Sequence, residues 1–341
     1  MRKRLSSHGR HERRAGRGRA PAIATQVART DPPGGARDAT IDPSVVIDAR
    51  GIRKDFGHVH ALDGLDLRVR RGEVHGFLGP NGSGKSTTIR ALLGQLRLTG
   101  GTLRLFGLDP LGDAVEIHQR LAYVPGDTAL WPGLTGGECI DVIGGFSGRL
   151  DSVRRDELIA RFELDPTRRA RTYSKGNRQK VALIAALATD AELYVLDEPT
   201  SGLDPLMEAR FQMTVREIAE AGRTVLLSSH ILDEVEALCD RVTIIRAGRT
   251  VSTGSLDTLR ANTATTVLAT TAEPLHGIRH RDGVRDLTEQ PHPDGIHSTF
   301  TVSGAVMAEV IESVAAQRPV TLVVRPPALD ELFLAEYGEQ S

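Results

Sequence analysis

Nine consecutive residues, Gly79, Pro80, Asn81, Gly82, Ser83, Gly84, Lys85, Ser86 and Thr87, carry the most specific chemistry in the chain. They satisfy the pattern G-x-x-x-x-G-K-[ST]. Glycines at 79, 82 and 84 let the backbone turn so that several N–H groups face inward. Those donors, with the N-terminus of a following helix, make an anion site for phosphates. Lys85 brings a positive charge to the β- and γ-phosphates, and the Ser86 hydroxyl can ligate Mg²⁺. A plain glycine turn has no need of Lys-Ser at its end. About 110 residues downstream, Leu193-Tyr-Val-Leu-Asp-Glu-Pro199 sets two carboxylates after a short apolar run. At the C-terminal end of a parallel strand, where ligands bind, Asp197 is expected to hold Mg²⁺ through water. Glu198 is expected to polarise the attacking water, a general-base role contributing ~10²–10⁴-fold.

The elements that must position these groups are legible as alternating periods. Val74 to Leu78 is a short apolar run, Gly79 to Thr87 follows, and Ile89 to Leu93 continues as a helix. The order is strand, glycine loop, helix. Val45-Val46-Ile47 reads as a strand, and Leu65 to Val69 alternates apolar with charged. From about 113 to 190 the pattern turns helical, with helices expected near 113–121, 136–147, 152–163 and 177–189. Leu193–Leu196, Thr224–Ser228 and Val242–Ile245 read as buried strands, separated by helical patterns at 205–221 and 231–239. Strands alternating with helices indicate a mostly parallel sheet with helices on both faces. Beyond about 255 the character changes. Thr265–Ala269, Ser298–Val302 and Val320–Val324 read as strands and Val306–Ala316 as a helix, a small α+β module without a catalytic constellation.

Composition narrows the classes further. The 341 residues suffice for a large cored domain plus a smaller one. Apolar residues make up 40% and charged residues 26%, ordinary values for a soluble globular protein, and aromatics at 4% leave the core to aliphatic side chains. Residues 1–40 hold ten Lys or Arg against three Asp or Glu, which leaves +7 there and −8 over the remainder of a chain whose net charge is −1. Residues 1–44, rich in Arg, Gly, Pro and Ala, show no hydrophobic period and are expected to be a disordered basic leader. It reads either as a solvated segment or as an electrostatic tether to anionic lipid or nucleic acid. Cys139 and Cys239 stand far apart in no metal spacing, so a reducing compartment fits. A membrane-spanning helix needs roughly 20 apolar residues. The longest uninterrupted apolar run, Val181 to Ala188, has eight.

The glycine loop alone would allow many nucleotidases. Tyr173-Ser-Lys-Gly-Asn177 followed by Arg178-Gln-Lys180 resembles the signature motif of ATP-binding cassette ATPases, usually Leu-Ser-Gly-Gly-Gln. Ser201-Gly-Leu-Asp204 resembles the D-loop of that family, and His230 resembles its switch histidine. Phe56, shortly before Ala61-Leu-Asp-Gly64, resembles the aromatic that stacks on adenine. These elements occur in the family's order over residues 45–250. Pro327-Ala-Leu-Asp-Glu-Leu-Phe333 is similar to a C-terminal segment of exporter ATPases of the drug- and antibiotic-resistance type. The sequence departs from the family at Gly126, where a Gln usually stands, and at Lys175 and Asn177 of the signature.

The resemblance implies an α/β P-loop NTPase cassette with a mostly parallel sheet and a helical subdomain, plus a small α+β C-terminal module. The cassette would span 45–255, with its helical subdomain about 113–190, and the accessory module 256–341. It also implies ATP and Mg²⁺ as cofactors and a second cassette, a homodimer, facing the first head to tail. Ser174, Lys175 and Gly176 of one chain would then cap the γ-phosphate bound by the other, the helix that starts there pointing its positive end at the phosphate. His230 would contact the γ-phosphate, and Asp204 would link the two sites. The partner would be a polytopic membrane permease encoded as a separate chain, with this chain peripheral on the cytoplasmic face of the membrane. Trp131-Pro-Gly-Leu-Thr135 reads either as a turn with one anchored Trp or as part of the groove for the partner's helix. The alternative is a soluble cassette ATPase acting on ribosomes or nucleic acid. Translation-type members usually carry two cassettes and chromosome-type members a long coiled coil, and neither occurs here, so no nucleic-acid partner is expected. A kinase of small molecules would leave the signature motif and His230 without a role.

Overall fold

The computed structural model describes residues 42–146, 150–256, 258, 265–279 and 281–325. All but the last three residues of the expected leader, and the whole of the tail segment 327–333, lie outside the described residues. The chain runs β1 (Val45–Phe56), β2 (Val59–Arg70), β3 (Val74–Leu78), α1 (Lys85–Leu92), β4 (Gly100–Leu105), α2 (Ala114–His118), β5 (Leu121–Val124) and α3 (Gly136–Gly145). It continues through α4 (Ser152–Arg161), α5 (Lys175–Leu187), β6 (Leu193–Asp197), α6 (Pro205–Glu220), β7 (Thr224–Ser229), α7 (Leu232–Leu238), β8 (Arg241–Arg246) and β9 (Arg249–Ser255). The remainder is β10 (Thr265–Thr271), β11 (Val284–His292), β12 (Gly295–Val302), α8 (Met307–Ala315) and β13 (Thr321–Arg325).

Among the described residues three sheets form. The largest has the order β5-β6-β7-β3-β8-β9, parallel from β5 through β8, with β9 antiparallel at the edge. Its inner strands are apolar on both faces, because each face is covered. Tyr194, Leu196, Val225 and Leu227 pack on one side with Leu158, Phe162, Ile184 and Phe211 of the helices. Leu193, Val195, Leu226 and Phe77 pack on the other with Ile47, Leu65, Leu92 and Leu105. Successive residues thus alternate between two cores, as a two-residue period requires. The second core is roofed by an antiparallel sheet, β2-β1-β4. The third sheet, β11-β12-β10-β13, is antiparallel throughout and packs Val267, Phe300 and Val302 against Val310 and Val314 of α8.

Helix starts are chemically marked. Thr135 and Glu138 form a reciprocal capping box at α3, Asp151 accepts from Val153 N and Arg154 N at α4, and Asp204 caps α6 ahead of Pro205. Helix α5 is buried from Val181 to its last residue, Leu187, so its uninterrupted apolar run is a core helix. No helix of the described residues is long and apolar enough to cross a membrane.

Several stretches differ from the sequence expectation, among them the strands β4 and β9, which it did not include. Helix α2 stops at His118, and Leu121–Val124 forms an edge strand, β5, paired in parallel with β6. Three buried residues of four, Leu121, Ala122 and Val124, are too few to show a period, so tertiary pairing decides. The strand β11 carries mostly exposed, polar residues and Pro291; it lies at a sheet edge, where neither alternation nor a full ladder is required.

One charged cluster clamps the edge of the main sheet. Glu192, just before β6, accepts from Arg120 Nε at 2.7 Å and Nη2 at 3.1 Å and from Arg71 Nη1 at 2.8 Å. The Arg120 guanidinium also lies 3.9 Å from the centre of the Phe106 ring. The Arg120 hydrogen bonds above all hold the Glu192 carboxyl down to about 2. A carboxylate with a lowered native pKa stabilises the fold above its unfolded value, and that contribution is lost as pH falls through the native value. Glu192→Gln is therefore expected to unfold at lower urea than wild type at pH 7. The gap should close as pH falls from 4.5 towards 2, measured by urea titrations across that range.

Candidate functional site

The glycine loop sits between β3 and α1, at the C-terminal edge of the central parallel strand. Gly82 and Gly84 have φ of 80° and 112°, a region L side chains rarely adopt. A Cβ on Gly79 would lie 2.5 Å from the Ile245 carbonyl oxygen, and one on Gly84 2.9 Å from the Leu62 side chain. The loop therefore rests directly on β8 and β2. It is braced from below by hydrogen bonds from Gly248 N to Ser83 O at 2.9 Å and from Asp63 N to Gly248 O at 2.8 Å. Lys85, 5% exposed, donates to the carbonyls of Gly79 at 2.6 Å and Pro80 at 3.3 Å. The Ser83 hydroxyl is buried without a hydrogen-bond partner.

The two carboxylates stand where β6 ends. Asp197, 7% exposed, accepts from Ser228 Oγ of β7 at 2.9 Å. Burial raises the Asp197 pKa, opposed chiefly by the Ser228 hydrogen bond. Burial likewise lowers that of Lys85, opposed by Glu198 and Asp197. Glu198 has φ of 46°, an unusual left-handed backbone for a residue with a side chain, held by its N–H donating to Ser228 O at 2.9 Å. That twist turns its carboxylate between two basic side chains: Glu198 Oε1 is 3.9 Å from Lys85 Nζ and 3.3 Å from His230 Nδ1. A cleft of about 310 Å³ is lined by Pro80, Asn81, Gly82, Gly84, Lys85, Ser86, Thr87 and Glu198, with Val59, His60 and Ala61 on its other wall. A second cleft, about 260 Å³, lies across Glu198 among Ser201, Gly202, Glu208 and His230.

The remaining sequence-derived residues fall elsewhere. Phe56 ends β1, half exposed, with Lys54 Nζ 4.9 Å from its ring centre; it is not among the residues lining the first cleft. Ser174, Lys175 and Gly176 line neither cleft. Ser174 caps α5 by accepting from Asn177 N at 3.2 Å, Lys175 Nζ donates to Ser201 Oγ at 2.8 Å, and a Cβ on Gly176 would lie 2.4 Å from Gly202 O. Asp204 is exposed and accepts from Met207 N at 3.0 Å.

A family model described as ABC transporter matches residues 62–201. A protein of Streptomyces coeruleorubidus named daunorubicin resistance ATP-binding protein DrrA3 is 36% identical over 87% of this chain and 97% of its own length. The Nod factor export ATP-binding protein I of Ralstonia nicotianae is 35% identical over 63% of this chain and 68% of its own. A solved structure of the ATP-binding subunit of an ABC transporter superposes with a TM-score of 0.59 at 29% identity, covering 63% of this chain and 92% of that one. The chain belongs to the ATP-binding proteins of ABC transporters. It binds ATP and is an ATPase of the exporter group.

Within this ABC cassette the structure adds residues to which the motifs had given no role. Gln179, 1% exposed, accepts from Thr128 Oγ1 at 2.9 Å and donates to the Pro199 carbonyl at 3.1 Å, tying α5 to the loop after β5 and to the turn after Glu198. Gly126 packs on Asp197: a Cβ there would lie 3.2 Å from its backbone O and 3.7 Å from its Oδ2. Glu234, 2% exposed, accepts from Ser229 Oγ at 2.7 Å through Oε2, while its Oε1 is buried without a partner. Ser229 precedes His230, so this carboxyl braces the strand end that carries His230.

Burial lifts the Glu234 pKa from 4.5 to about 7. A carboxyl with a raised native pKa takes up a proton on folding, so its contribution to stability falls as pH rises from the unfolded to the native value. Stability is therefore expected to decline from this group between pH 4.5 and about 7 and to level off above. Urea unfolding of Glu234→Gln should show a flatter profile across that window than wild type.

Proposed function

We propose that this chain is the motor subunit of a membrane exporter for small hydrophobic, drug- or antibiotic-like compounds. In this reading two copies close head to tail on two ATP molecules and drive a separate polytopic permease from the cytoplasmic face of the membrane. The observation that carries it is the row of Lys85, Glu198 and His230 at the ends of three adjacent parallel strands, β3, β6 and β7. Relatives named for daunorubicin resistance and for Nod factor export support the exported class.

Residues 79–87 bind the phosphates, Lys85 neutralises them, and Phe56 stacks on the base from the rim. The Ser86 hydroxyl and Asp197 carboxylate are hard oxygen donors, a set that suits Mg²⁺. Bound there, Mg²⁺ would neutralise phosphate charge as it develops. Glu198 takes the water proton, and His230 holds the Glu198 carboxylate and meets the γ-phosphate. Ser174, Lys175 and Gly176 stand away from their own chain's phosphate loop, which supports their acting on a nucleotide held by the second copy. Asp204 then stands at the junction of the two sites. The cassette comprises 45–255, and 256–341 is an accessory module.

Glu198→Gln is expected to bind ATP as wild type does, to elute as a dimer with ATP and Mg²⁺, and to lose turnover by ~10²–10⁴-fold. Lys85→Ala should not retain ATP. Tagged Glu198→Gln protein with ATP and Mg²⁺, drawn from detergent-solubilised native membranes, should recover a stoichiometric polytopic protein. Recovery of ribosomes or nucleic acid without a membrane protein would overturn the exporter reading.

A further inference from the structure

We propose that His292, Asp294 and His297 form a surface site for a divalent late first-row transition metal, zinc being the probe of choice. The site lies on the β11–β12 hairpin, in the third sheet, away from the residues of the nucleotide cleft in sequence and in sheet. No part of the ATPase reading is needed for it.

The hairpin builds the site by register. His292, the last residue of β11, pairs with Gly295, the first of β12, leaving Pro293 and Asp294 as a two-residue turn. His297 follows two residues after Gly295, so by strand alternation it shares the face of His292 as a diagonal cross-strand neighbour. Gly295, opposite His292, has no side chain to occupy that face, and the two imidazoles stack with centroids 4.3 Å apart and planes 24° from parallel. His297 is held on its other side by pairing with Thr270 of β10. Pro293 fixes its own φ in the turn, so little freedom is left to lose when a ligand binds.

The three donors converge. His292 Nδ1 lies 2.5 Å and His297 Nε2 2.9 Å from the same oxygen, Asp294 Oδ1, and one donor atom from each residue falls within 4.8 Å of the others. A proton now bridges each nitrogen to the carboxylate. A metal at ~2.0–2.2 Å from each donor would replace both protons and needs donor separations of roughly 3.4 Å in tetrahedral geometry. Side-chain rotation supplies that spacing, because all three side chains are about half exposed. Two imidazoles and one carboxylate suit zinc, nickel or copper, whereas Mg²⁺ and Ca²⁺ take oxygen donors. Three protein ligands leave a fourth position for water.

The test uses untagged, chelator-stripped full-length protein and zinc chloride, with a chromogenic chelator as competitor at pH 7.5. Wild type is expected to bind one equivalent that His292→Ala, Asp294→Asn and His297→Ala each weaken by more than tenfold. Loss of a mere outer-shell partner already costs ~10–100-fold. ATP turnover of the three variants should match wild type, which shows that they fold. Cobalt-loaded wild type should give a visible d–d spectrum that His297→Ala lacks. Absence of saturable zinc binding by wild type, or binding unchanged in the variants, would overturn the proposal.

Discussion

The nucleotide end of this molecule depends on two places where no side chain can stand. At Gly79 the backbone of the loop touches β8, and at Gly84 it touches β2, each closer than a Cβ allows. Those contacts set the curvature that turns the loop's N–H groups inward. They also lock the loop to the antiparallel roof through Gly248, whose own φ is 75° and whose Cβ would lie 2.8 Å from the Ala61 carbonyl. Three chain segments far apart in sequence therefore share one rigid floor. Lys85 can be buried only because that floor presents carbonyl oxygens to its ammonium, which would otherwise be desolvated without compensation.

The same low-dielectric setting governs the carboxylates. Asp197 is kept in place by Ser228, yet burial works against its charge. A divalent cation would reverse that balance, as bound ions do wherever they are the largest local charge. Glu198, more exposed, sits between Lys85 and His230 and faces both clefts. Its left-handed backbone is what a turn must adopt if one residue is to leave the strand below Asp197 and aim across the strand end. The division of labour between the adjacent acids thus arises from burial on one side and backbone twist on the other.

What the sequence disclosed follows from the range of the forces involved. The glycine loop, the strand ending in Asp197 and Glu198 and the helices of 136–187 are local patterns, and the structure places them where their periods indicate. The strand β5 and the edge strand β11 were not legible, because one is too short for a period and the other too polar. Gln179 was visible as a residue but not as a link, since its partners Thr128 and Pro199 are far from it in sequence. Lys175 departs from the family's glycine, and only the fold supplies its partner, Ser201. The convergence of His292 and His297 rests on a register that composition does not encode.

These links have a mechanical consequence. Three contacts join the start of α5 to the segment after Glu198: Lys175 to Ser201, Gly176 against Gly202, and Gln179 to Pro199. The Ser201 N–H in turn donates to the Glu198 carbonyl at 3.1 Å. The close approach of Gly176 to Gly202 leaves no room for one to slide without the other. If a nucleotide on a second copy pulls on Ser174, the displacement passes along these contacts to Glu198. A chain with Gly126 beside Asp197, rather than a long amide, lacks a side-chain lever at that loop. Gln179, bonded to Thr128 two residues beyond Gly126, is then the group through which that loop and the turn after Glu198 move together.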